Sequence, residues 1–144
     1  MKQPGLLQAA FDTLAVPEPV LGELLEGEEL GVVPAVDWAW LHRVQLTPVE
    51  ASRAQGFLQK LEIGESACIA VAEARGGFVL TDDLDARRIA STLGLVVTGT
   101  LGVLDQLIQI EILSFDQAEE LLAEMIACGY RSPVRSLREI YPGL

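Results

Sequence analysis

Apolar positions in this chain fall into short blocks whose period changes several times, and glycine or proline marks most of the changes. Val20, Leu21, Leu24 and Leu25 recur at helical spacing behind Pro17 and Pro19, residues that the first turn of a helix tolerates. Gly27 is expected to stop that helix, and a short strand near Thr13 to Val16, ended by Pro17, is expected before it. Residues 1–10 hold at most a short helical turn after the Pro4-Gly5 break. Glu28 to Asp37, with Gly31 and Pro34, reads as loop, and Trp38 to Leu46 alternates apolar with polar as a strand does. Thr47-Pro48-Val49-Glu50 is a capping box, which predicts a helix running to about Leu61.

Gly64 breaks the pattern, and Ser66 to Arg75 then predicts a buried helix closed by Gly76-Gly77. Phe78-Val79-Leu80 is continuously apolar, as befits a strand covered on both faces. Asp82 or Asp83 caps a helix to about Leu93, ended by Gly94, and Leu95-Val96-Val97 is the next strand. From Thr98 the chain turns into a helix reaching about Ile110. Ser114 with Gln117 opens a further helix to Cys128, stopped by Gly129, and Ser132-Pro133 starts a last short one to Tyr141. The alternation of strand and helix through residues 66–110 predicts a parallel sheet. With no linker or repeat, the 144 residues are expected to form one domain.

Composition sharpens that picture. Half of the residues are hydrophobic and 22% are charged, which excludes a disordered chain. Aromatics make up only 6%, so the core is left to Leu, Val, Ile and Ala, favouring helices on a parallel sheet over an aromatic-rich sandwich. Ten basic against 21 acidic residues give a net charge of −11. That argues against a broad polyanion-binding surface, leaves room for a local basic patch, and suits divalent cations wherever carboxylates converge. Cys68 and Cys128 both lie in apolar helical patterns and read as buried, reduced core residues rather than a disulfide or a metal pair. No secretory leader and no apolar run of membrane-spanning length is present, so a cytoplasmic protein without a membrane partner is expected.

The sharpest chemical signal is Phe78-Val79-Leu80-Thr81-Asp82-Asp83, a buried strand that ends in two adjacent carboxylates. Ligands gather at the carboxyl ends of parallel strands, and paired carboxylates there invite a cation; capping of the following helix is the competing role. Glu65 stands in the first turn of an otherwise apolar helix, where it is either a cap or a site. Thr98-Gly99-Thr100-Leu101-Gly102 could cradle a phosphate with backbone N–H groups, or be a tight turn with Thr100 as cap. Arg87 and Arg88 could meet a phosphate or form a solvated face, and the same pair of roles applies to Arg131, Arg135 and Arg138. His42, the single histidine, reads as a surface or packing residue.

The ordered run Gly64-Glu65, Ile69-Ala70, Gly76-Gly77, Thr81-Asp82-Asp83, Ala86-Arg87, Gly94-Leu95 and Gly99-Thr100-Leu101-Gly102 resembles the PIN-domain superfamily. More narrowly, it is similar to PIN-like proteins related to toxins of toxin–antitoxin pairs. Weaker likeness extends to Ala15 through Glu23 and to Gly129 through Pro133. The resemblance implies a three-layer α/β/α fold with a central parallel sheet, and an acidic pocket holding Mg2+ or Mn2+ that hydrolyses RNA. It places Glu23, Glu65 and Asp83 as metal ligands, with Asp82 beside them in catalysis, and Arg87, Arg88 and Thr100 on the nucleic acid.

One departure accompanies it. Family members carry a first strand ending in an acid or Asn before the segment matched by Ala15 to Glu23, whereas only about a dozen residues stand there, and Asp12 falls in a different element. The first strand is therefore expected to be missing, the chain being amino-terminally truncated relative to the family. The strand edges so exposed would be covered by homodimerisation or by residues 1–16. Two functions follow. One is a metal-dependent ribonuclease of toxin type, impaired by the missing strand. The other is a non-catalytic module binding an antitoxin-like protein or itself.

Overall fold

A computed structural model describes residues 4–11, 13–31 and 38–141. Most of the loop expected over Glu28 to Asp37 lies outside these residues, as does Asp12. The chain divides into two compact units, one of residues 11–100 and one of residues 1–10 with 101–144.

In the first unit, strand β1 (Ala15–Pro17) leads into α2 (Glu18–Glu29), with Pro17 as cap residue and Pro19 in the first turn. Helix α2 runs through Gly27, which is buried within it, rather than stopping there. Strand β2 (His42–Val44) pairs in parallel with β1, Ala15 opposite His42 and Pro17 opposite Val44. Only three residues of the expected Trp38 to Leu46 strand enter this ladder. A turn closed by the Leu41 N–H on the Trp38 carbonyl occupies the start of that segment. Val16, Leu21 and Leu41 form the core beneath this pair.

Helix α3 (Pro48–Phe57) is capped as expected: the Thr47 side chain accepts the Glu50 N–H, and Glu50 accepts the Thr47 N–H at 2.8 Å. It ends at Phe57 rather than near Leu61, whose buried side chain joins a core cluster instead. Glu50 is 3% exposed, and Arg75 makes a two-pronged bond to it, 2.8 Å to Oε2 and 2.9 Å to Oε1. The same guanidinium donates to the Gln45 carbonyl at 2.9 Å. This clasp joins the start of α3 to the last residue of α4 (Ile63–Arg75).

Strand β3 (Phe78–Leu80), helix α5 (Leu84–Thr92) and strand β4 (Val96–Thr98) form a right-sized βαβ unit, with Phe78 opposite Val96 and Leu80 opposite Thr98 in a parallel ladder. Ile69 and Ala72 of α4 pack with Val79, Ala86 and Ala90. Among the described residues, β1 pairs with β2 and β3 with β4, so the parallel strands form two pairs, not one continuous ladder. Helix α4 packs on both β1 and β3.

In the other unit, α1 (Pro4–Ala10) is two turns long rather than one, α6 (Thr100–Gln109) continues from the first unit, and α7 (Phe115–Ala127) follows. Leu104, Ala118, Leu121, Leu122 and Leu137 are its core, with Leu6 packed against them. The Ser114–Gln117 capping box forms as expected. The last helix does not: only a 3-10 turn, Leu137–Glu139, forms, because Glu139 is drawn back onto the Arg135 and Ser136 N–H groups. Cys128 is exposed at the end of α7, which corrects its expected burial, while Cys68 is half-buried and both thiols are free.

Candidate active site

The expected acids come from three elements. Glu23 projects from the middle of α2, Glu65 from the first turn of α4, and Asp83 caps α5. Gly64 lets the Glu23 carboxylate come close to the start of α4. It was expected to break the chain before the helix, yet it lies buried inside the first turn of α4. A Cβ there would stand 2.8 Å from Glu23 Oε1 and 3.0 Å from Oε2, so the glycine is the space the Glu23 carboxylate occupies.

Glu65 Oε2 accepts the Glu62 N–H at 3.2 Å, so the residue is a cap. It is also held above the usual carboxylate range, first by burial and then by the negative charges of Asp83, Glu62 and Glu23, against the opposing Glu62 N–H bond. Glu65 therefore feels the charges of both Asp83 and Glu23. Cys68, one helical turn beyond Gly64, feels the same field: burial, then Glu23 and Glu65, push its thiol up to about 11.

Asp83 is both cap and site candidate. Its Oδ2 accepts the Ala86 N–H at 2.9 Å, and its own N–H bonds the Thr81 hydroxyl at 3.1 Å. Asp82 faces a different partner. Its Oδ1 accepts the Thr100 N–H at 2.9 Å, and its Oδ2 accepts the Thr100 hydroxyl. Thr100 thus spends on Asp82 its N–H, one of the backbone donors expected to serve a phosphate, together with its hydroxyl. Arg87 donates to the Thr81 carbonyl at 3.1 Å, whereas Arg88 is exposed on α5.

A family model described as a PIN domain matches residues 1–142. The chain belongs to the PIN-domain family. No curated protein and no solved structure matches it. The α/β architecture with short parallel strands is that of a PIN-like fold, and the family implies a divalent cation. The carboxylate oxygens of Glu23, Glu65 and Asp83 are the hard donors that suit such an ion by kind. The spacing does not close around it: among the described residues, no three His, Cys, Asp or Glu side chains stand near enough to hold one ion. Among them, too, no helix is long and apolar enough to cross a membrane.

Gly64, Gly99 and Glu62 touch the candidate site residues without having been singled out beside them. The Gly64-Glu65 dipeptide at a helix start was the available signal, but a glycine there reads equally well as a break. For Gly99, a threonine on either side marked a turn and gave no hint that Asp82 and Arg87 fill the space above it.

Proposed function

We propose that this PIN domain is a ribonuclease domain of toxin type, with Glu23, Glu65 and Asp83 as the carboxylates that would hold Mg2+ or Mn2+. The observation that supports the reading is that Glu65 on α4 feels the negative charges of Asp83, the cap of α5, and of Glu23 on α2. Such an ion supplies a water of lowered pKa and positive charge toward a phosphate. The protein's own part is to keep oxygens available. Glu65 spends Oε2 on the Glu62 N–H and Asp83 spends Oδ2 on the Ala86 N–H, leaving Oε1 and Oδ1 for a ligand. Arg88, exposed on the helix that Asp83 caps, is the cation we assign to the RNA phosphate.

Calorimetric titration with Mn2+ tests this. Micromolar binding that Asp83→Ala abolishes, with cleavage of single-stranded RNA dependent on the same residue, supports the nuclease. No heat at millimolar Mn2+ rejects it.

A second reading, a non-catalytic module that binds an antitoxin-like protein or a second copy of itself, is favoured by the open spacing of the acids. It predicts no Mn2+ binding, together with a stable homodimer or complex by light scattering.

A further inference from the structure

We infer that Asp82 is a positioning residue, the centre of a latch that ties the β3–α5 corner to the β4–α6 corner and so fixes where Asp83 stands. The inference rests on the reading of Asp83 as a ligand and deepens it.

Four observations meet at this point. The β3–β4 ladder extends past its last paired residues through the Thr81 N–H on the Thr98 carbonyl, at 2.9 Å, so the two strands end together. Just beyond, both oxygens of Asp82 are occupied by Thr100: Oδ1 by its N–H at 2.9 Å and Oδ2 by its hydroxyl. Arg87 reaches back from the first turns of α5 and donates to the Thr81 carbonyl at 3.1 Å. Between them lies Gly99, where a Cβ would be 2.5 Å from Asp82 Oδ1, 2.8 Å from Arg87 Nη1 and 3.3 Å from the Thr81 carbonyl oxygen.

Gly99 is not among the glycines with positive φ. Its backbone suits any residue, and the requirement for glycine is clearance alone. The sequence thus keeps a side chain out of the one volume through which the Asp82 carboxylate and the Arg87 guanidinium reach their partners. Asp83 follows Asp82 directly, and its own N–H and carboxylate are bound locally to Thr81 and Ala86. Its position therefore depends on the corner that Asp82 clamps. A carboxylate serving as ligand would have to give up its fork on Thr100; a carboxylate serving as latch keeps it.

The test compares Asp82→Asn, Asp82→Ala, Gly99→Ala and Asp83→Ala in the full chain, reading Mn2+ affinity by calorimetry and exchange of the Thr100 amide by NMR. An asparagine can keep the fork, its carbonyl accepting the Thr100 N–H and its NH2 donating to the hydroxyl oxygen. Asp82→Asn is expected to hold Mn2+ within about twofold of the parent, while Asp82→Ala and Gly99→Ala each weaken it roughly 10-fold or more, the loss typical of a supporting residue. Equal losses in Asp82→Asn and Asp82→Ala would make Asp82 a ligand and overturn the latch, as would unchanged affinity in Gly99→Ala. If the parent binds no Mn2+, or Asp83→Ala leaves binding intact, the metal reading of Asp83 fails. The latch is then judged by the Thr100 amide alone. Protection kept in Asp82→Asn and lost in Gly99→Ala and Asp82→Ala supports it, and protection retained in Gly99→Ala removes it. Should Asp82→Ala not fold, the other variants decide.

Discussion

The Glu23 carboxylate stands against the bare Cα of Gly64, with Oε1 2.8 Å from the point a Cβ would occupy. A glycine inside a helix costs about 1 kcal/mol relative to alanine, so this closeness is bought with helix stability. The atoms in the way are the far end of a long, exposed side chain on α2, which can swing aside. Gly64→Ala is therefore expected to fold, with up to about 1 kcal/mol more stability in a urea melt. It should also weaken Mn2+ binding by roughly 10-fold as Glu23 is displaced. An unchanged Mn2+ affinity would take Glu23 out of the ligand set.

The repulsion at Glu65 has a definite pH signature. Its carboxyl is raised above 4.5 in the folded state, first by burial and then by Asp83, Glu62 and Glu23. The charged form is thus the unfavourable one. The resulting penalty is absent below about 4.5, and it is complete once the pH has passed the folded-state value. Glu65→Gln keeps an oxygen for the Glu62 N–H and removes the charge. Its Tm should exceed that of the parent at neutral pH and match it below about 4.5, as thermal melts followed by circular dichroism can check. A variant less stable at neutral pH would show that the cap outweighs the crowding.

Glu50 behaves in the opposite sense. The bond from Arg75, then the Thr47 N–H, hold its carboxyl down to about 2, and burial only partly opposes them. The clasp between α3 and α4 is accordingly at full strength above about 4.5 and is lost as the pH falls through about 2. Glu50→Gln should lower Tm at neutral pH, and the gap to the parent should close as the pH approaches 2. A constant gap across that range would mean that the charge contributes nothing.

The two thiols should differ in reactivity. Burial, with Glu23 and Glu65, lifts Cys68 to about 11, so at pH 8 only about one molecule in 1,000 carries its thiolate. Cys128 is exposed at the cap that follows α7. A chromogenic disulfide reagent at pH 8 should titrate one thiol rapidly in the native protein and two in guanidinium. Two rapid thiols in the native state would contradict the placement of Cys68.

What was legible in the sequence was local. Thr47 with Glu50 and Ser114 with Gln117 announce their helices because a cap and its return bond lie within one turn. Phe78-Val79-Leu80 was legible as a strand from its continuous apolar run, but not its burial: Val79 is buried while Phe78 is 40% exposed, so the strand is not covered on both faces. The site was legible only as a set of acids carried over from a family pattern. Gly64 misled because its reason lies in Glu23 on another helix, and no periodicity within α4 reports that neighbour. The fork of Asp82 on Thr100 stayed hidden for the same reason, joining residues separated by a whole helix and strand. The alternating run from Trp38 to Leu46 overstated its strand, because alternation marks where a strand could form and the short partner β1 sets how much does.

The division of the strands into two pairs bears on how the unit from Phe11 to Thr100 assembles. Among the described residues no ladder joins β1–β2 to β3–β4, and a two-stranded pair is marginal by itself. Helix α4 packs on a strand of each pair, and its Ile69 and Ala72 join the cluster of β3 and α5. The folding nucleus should then centre on this helix, so that trimming Ile69 to valine slows folding more than it speeds unfolding.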